Sequence, residues 1–202
     1  MSVSGRAQAS KLAPTDSKAA FAVAERIEDP WYAAQAFATV ARHAHGPIRA
    51  KAFAASRAAA RRGKDTYQQA AVLAWPLRAA IELGEEKLAE AIFVDASALL
   101  PAIDNFSSRA QAFDLVFQAA FPGGAKLWRP LLDALPRLCP ADSHWRAARM
   151  HREIVWILAR DHINLARDLA EALPEGRTRR QALRDLANGV KSAPRMFFFT
   201  PP

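Results

Sequence analysis

Apolar residues recur at three- and four-residue steps over almost the whole of this 202-residue chain, and that step is the period of an α-helix. Val, Ile, Thr and Tyr are sparse and no period-two alternation runs beyond a few residues. The gaps are filled by Ala, Leu, Arg, Glu and Gln, all good helix formers. Breaks fall at short, regular intervals: AHGP (44–47), RRGKD (61–65), LG (83–84), LLPAIDN (99–105), FPGG (121–124), LCPADS (138–143), RD (160–161) and LPEGRT (173–178). Several of them supply a Gly or Pro that ends one helix and an Asp or Ser that opens the next. The pattern predicts an all-α chain of about ten helices joined by short loops.

Two kinds of helix alternate. An acid–aromatic–x–x–Arg/Gln–Ala phrase opens every second one, as DPWYAAQAF (29–37), DTYQQAAVL (65–73), DNFSSRAQAF (104–113), DSHWRAARM (142–150) and GRTRRQAL (176–183). Their last residues, Phe37, Leu73, Phe113, Met150 and Leu183, are 36, 40, 37 and 33 residues apart. Between them stand helices centred near Ala50 and Ala54, Ala89, Trp128 and Ala166, and Ala50, Ala89, Trp128 and Ala166 are spaced by 39, 39 and 38 residues. A helix pair of this size cannot bury its apolar face alone, so neighbouring pairs must stack. Pro76 interrupts the second phrase-bearing helix, and a kink or break is expected near Trp75.

The stretch GEEKLAEAIFVDASALLP (84–101) places Gly84, Ala89, Phe93, Ala96 and Pro101 at the Gly, small, bulky, small and Pro offsets of the second half of a tetratricopeptide repeat, which it resembles. DHINLARDLAEALP (161–174) is similar through Ala166, Ala170, Leu173 and Pro174. The first helices depart from that family's pattern, with Leu73, Pro76, Leu77 and Ala80 in the best copy, so a HEAT-like arrangement stays open. The resemblance covers roughly residues 15–190. It implies a right-handed α-solenoid of about four to five antiparallel hairpins whose first helices line a concave groove. The expected organisation is an unordered segment 1–13, a helical-repeat domain 14–188 and a tail 189–202. FFFTPP in that tail is expected to fold back over the last helix as a cap; the other reading is a docking peptide for a partner or for a second copy.

An apolar fraction of 51% with 24% charge fits a globular protein. No apolar run approaches the roughly 20 residues that span a bilayer, and the N-terminus lacks the apolar centre of a secretory signal. Cys139 stands alone, which excludes an internal disulfide and a cysteine-built zinc site. These features predict a cytoplasmic protein, and Arg outnumbering Lys 21 to 7 in an Ala-rich chain points to a bacterial source. No phosphate loop, nucleophile elbow or HExxH motif occurs, so neither an enzyme nor a cofactor is expected. His43, His45, His144, His151 and His162 have no metal-ligand spacing, and Glu153 beside His151 diverges from it on a helix.

The net charge of +8 is segregated. Residues 42–64 hold seven bases and no acid, and residues 177–195 hold six bases against Asp185. Arg57, Arg61 and Lys64 form one ridge and Arg177, Arg180 and Arg184 another, both candidates for phosphate contacts. The five tryptophans are expected mainly at packing positions. Family offsets put Gln35, Arg42, Arg78, Asp114, Gln118, Arg149, His151 and Arg152 on the groove, and their arginines favour an acidic or C-terminal-carboxylate peptide. The expected role is a non-enzymatic scaffold that binds a protein or peptide in its groove. The alternative is a basic helical-repeat protein that binds nucleic acid through its phosphates.

Overall fold

A computed structural model describes residues 2–190 and 198–199. Eleven α-helices and two 3-10 turns make up its regular structure, with no strand among the described residues. The helices are α1 (Ser2–Leu12), α2 (Ser17–Glu25), α3 (Pro30–His43), α4 (Gly46–Arg61), α5 (Thr66–Glu82) and α6 (Glu86–Leu99). They continue as α7 (Phe106–Ala120), α8 (Ala125–Leu138), α9 (Trp145–Leu158), α10 (Ile163–Glu171) and α11 (Arg177–Ala187). None of the described helices is long and apolar enough to cross a membrane.

The acid-led phrases open helices for a local reason. Asp29 Oδ1 accepts from the Trp31 and Tyr32 amides at 2.9 and 3.4 Å, Asp65 Oδ1 from Gln68 at 2.7 Å, and Asn105 Oδ1 from Ser108 at 2.9 Å. Each bond satisfies an amide that the helix itself leaves without a partner. In the fourth copy the cap is His144, whose Nδ1 accepts from the Arg146 amide at 3.2 Å.

Consecutive helices pack as pairs, α1 with α2, α3 with α4, α5 with α6, α7 with α8 and α9 with α10. The odd-numbered helices also pack on one another in chain order, α1 on α3, α3 on α5, α5 on α7, α7 on α9 and α9 on α11. The even-numbered helices bury a narrow stripe at i, i+4 and i+7: Ala52, Ser56, Ala59; Ala89, Phe93, Ala96; Trp128, Leu132, Leu135; Ala166, Ala170, Leu173. On α4 that stripe is displaced from the expected Ala50 and Ala54, which are exposed. The central position there is a serine, and Ser56 Oγ is buried only because it donates to the Ala34 carbonyl at 2.8 Å.

The unordered segment expected at 1–13 is corrected, and of the kink or break expected near Trp75 the break does not occur. Residues 2–12 are helical, and α1 buries Ala9 and Ala13 where it docks on α2 and α3. α5 runs unbroken through Pro76, which is itself buried. The one amide lost there would have bonded the Val72 carbonyl, and burial of Ala70 to Ala74, Leu77, Ala79 and Ala80 around it holds the helix together.

Nearly half of the buried apolar residues among those described are alanines, so space at the crossings is set by single methyl groups. Ala89→Leu is therefore expected to cost about 1–3 kcal/mol through overpacking. Ala91→Leu, exposed on the same helix, should change stability by less than about 0.5 kcal/mol. Urea unfolding of both variants checks the contrast.

Candidate functional site

The odd-numbered helices present one shared face, and polar side chains bridge each junction along it. Arg6 of α1 donates to Gln35 Oε1 of α3 at 2.7 Å. Arg42 of α3 donates to Glu82 of α5 at 2.5 Å, and Glu82 accepts at its other oxygen from Arg78 at 2.7 Å. Arg78 also reaches the Gln118 carbonyl of α7 at 3.5 Å. Arg146 of α9 donates to Gln111 Oε1 of α7 at 2.9 Å. At the last junction Arg152 donates to Gln181 Oε1 at 2.7 Å and lies 3.5 Å from Asp185, which also accepts from Trp156 Nε1 at 2.9 Å.

Seven of the eight expected contact residues make side-chain bonds across or within these helices, and three of them, Gln35, Asp114 and Gln118, are buried. Gln35 turns to α1, Arg42 and Arg78 converge on Glu82, and Arg152 turns to α11. Asp114 Oδ1 accepts from Gln118 at 2.8 Å within α7, and Arg149 donates to the buried Glu153 at 2.7 Å within α9. Glu82, Glu153 and Asp185 offset the positive charge that the arginines alone would present. Partly exposed pairs of this kind stabilise by about 0–1 kcal/mol each, so they align the helices more than they add stability.

His151 is the exception. It is 3% exposed, and its Nε2 lies 2.8 Å from the Cys139 carbonyl. A carbonyl only accepts, so Nε2 carries a proton, and Nδ1 is buried without a partner, which disfavours a second one. Burial lowers its pKa below 6.5, although the bond to Cys139 acts in the other sense. The Cys139 thiol is pushed up to about 12 by burial and stays protonated.

Asp114 and Arg149 both line a cleft of about 210 Å³ between α7 and α9, lined also by Gln111, Trp145, Arg146 and Glu153. Trp145 is 63% exposed, against the expectation of a packing role, and the Arg146 guanidinium lies 5.3 Å from its ring centroid. It sits at the first position of α9, just past the His144 cap, and the His144 ring lies 5.6 Å from its own. A second cavity of about 370 Å³ opens between the start of α6 and the start of α8, bounded by the Glu90–Lys126 ion pair.

The two basic ridges differ. Arg57 donates to Asp95 of α6 at 2.6 Å and Arg61 lies 3.8 Å from the same carboxylate, while Lys64 is exposed. Arg177, Arg180 and Arg184 are exposed and carry no ion pair among the described residues. Among those residues no group of three His, Cys, Asp or Glu side chains is placed to hold a metal ion.

At the α3–α5 end the face is aromatic. Trp31 stacks on Tyr67 with centroids 6.1 Å apart and meets Trp75 edge-on at 5.9 Å. Phe198 of the tail packs against Trp75, and Phe199 lies beneath Arg42. The two described tail residues thus lie on α3 and α5, not over the last helix as expected for a cap.

Comparison with protein-family models, with curated proteins and with solved structures finds no match to this chain.

The neutral state of His151 makes stability pH-dependent. A lowered folded pKa contributes stability that is complete above the unfolded value of 6.5 and is lost as pH falls through the folded value. The melting temperature is expected to drop between pH 7.5 and pH 5.5. The drop should be smaller in His151→Gln, and it should not vanish, because burial also lowers the pKa of His43. Thermal melts of both proteins at the two pH values check this.

Proposed function

We propose that this chain is a non-enzymatic helical-repeat scaffold, an α-solenoid of tetratricopeptide-like pairs, that holds a peptide segment of a protein partner across the face of its first helices. The observation that carries the reading is Trp145, exposed beside Arg146 and Arg149 at the mouth of the α7–α9 cleft. An exposed Trp next to arginines is the composition of a peptide hot spot, where an aromatic plane supplies area and a guanidinium fixes a carboxylate. An acidic segment with an apolar anchor fits this chemistry, in a reducing compartment where Cys139 stays a thiol. The ion pairs of Arg42, Arg78 and Arg152 make them contributors to groove shape, whereas Arg146 bonds a neutral amide and Arg149, paired with Glu153, lines the same cleft.

Nucleic-acid binding is the second reading, favoured by the exposed Arg177, Arg180 and Arg184 on α11. Phosphate contacts carry a strong salt dependence, which a partly apolar peptide contact does not share.

Panning a random peptide library against the chain tests the first reading. It should enrich acidic sequences with an aromatic or leucine anchor, which lose at least tenfold in affinity to Trp145→Ala/Arg149→Glu. Enriched peptides that bind both proteins equally would refute it. Labelled DNA that binds at micromolar concentration, weakens by orders of magnitude between about 50 and 200 mM salt, and is lost on charge reversal at Arg177, Arg180 and Arg184 would put the second reading first.

A further inference from the structure

The seat of the two tail phenylalanines is built from two helices of the first-helix face, α3 and α5. The Phe198 ring is 5% exposed and meets Trp75 edge-on, with centroids 5.2 Å apart and an interplanar angle of 69°. Phe199 lies under the Arg42 guanidinium at 4.7 Å, and that guanidinium is held in place by its 2.5 Å bond to Glu82. The backbone of Phe199 takes a positive φ of 26°, which a residue with a Cβ adopts only where its surroundings hold it.

Three features distinguish this contact from a fixed cap. It lies on α3 and α5, both already flanked by helix neighbours on either side, and not on α11. Among the described residues no hydrogen bond ties Phe198 or Phe199 to the face, so the seat recognises side chains alone. Trp31, Tyr67 and Trp75 are only partly buried with the tail in place, so the two phenyl rings do not cover the aromatic surface completely. A site of edge-facing indole beside a pre-positioned guanidinium fits two consecutive aromatic side chains, the first against Trp75 and the second under Arg42.

We propose that the α3–α5 face is a docking site for a partner-protein segment with two consecutive aromatic residues, and that Phe198–Phe199 is its tethered competitor. This rests on the reading of the first-helix face as a peptide-binding surface. Tethering gives the tail a high effective concentration, so a segment in trans binds the intact chain more weakly than it binds a chain whose own seat is vacant.

The test uses the full chain and a labelled peptide MFFFTPP, read by fluorescence anisotropy. Phe198→Ala/Phe199→Ala is expected to bind the peptide at least tenfold more tightly than the intact chain does. Adding Trp75→Ala should abolish that binding, and a peptide with alanine in place of all three phenylalanines should bind neither protein. Equal affinity for the intact and double-variant chains, or no binding to a folded double variant, overturns the proposal. If circular dichroism shows the double variant unfolded, Phe199→Ala alone should gain threefold or more, and no gain is again a refutation. A tail exchanged between two copies would make the intact chain dimeric and the variant monomeric in sedimentation, which also overturns it. Retained binding of acidic peptides through Trp145 and Arg149 while this test fails would leave the groove reading standing; loss of both would sink both.

Discussion

Single methyl groups at the helix crossings determine how this chain packs. Alanine has the highest helix propensity and brings helix axes close together, but it buries little area per residue. Stability is then assembled from many close contacts. Where alanine lines both surfaces, as between α3 and α4 and between α5 and α6, helices run close along their length. Between α7 and α8 the buried surface is Phe113, Phe117, Trp128, Leu131 and Leu135, and the larger side chains hold the two backbones further apart. Cavities open in this second half, beside α8 and between α7 and α9.

The odd-numbered helices meet side by side, and their common face is both wide and polar. Arginines cross four of the five junctions to an acid or amide of the neighbouring helix, at Arg6–Gln35, Arg42–Glu82, Arg146–Gln111 and Arg152–Gln181, and at α5–α7 Arg78 reaches the Gln118 backbone carbonyl. One geometry thus recurs with different chemistry. At the α3–α5 end the ladder is bordered by Trp31, Tyr67 and Trp75, and at the α7–α9 end by an exposed Trp145 with Arg149. A face with aromatic anchors at both ends and charged positions between them suits an extended ligand better than a compact one.

What was legible in the sequence is what local physics decides. Asp29 and Asp65 announce helix starts because a capping carboxylate acts within three residues, and the helices themselves follow from the three- and four-residue apolar step. What was hidden depends on tertiary contact. α1 carries few apolar residues, and only docking on α2 and α3 explains why Ala9 and Ala13 are buried. Ser56 broke the apolar pattern of α4, because its partner Ala34 is on another helix. The acids that pair with the groove arginines lie 40 residues from Arg42 and 33 from Arg152, beyond any local signal. Family offsets put His151 among the expected groove residues, yet its ring turns to the Cys139 carbonyl. The seat of Phe198 and Phe199 has no sequence mark at all.

A double-mutant cycle on Trp75 and Phe198 tests most directly whether the first-helix face holds an aromatic ligand. Unfolding free energies of Trp75→Ala, Phe198→Ala and the double variant should give a coupling of about 0.5–1.5 kcal/mol beyond additivity, as for other aromatic pairs in edge contact. Strictly additive losses would mean that the two rings do not meet in solution, and the account of this face as an occupied docking surface would fail.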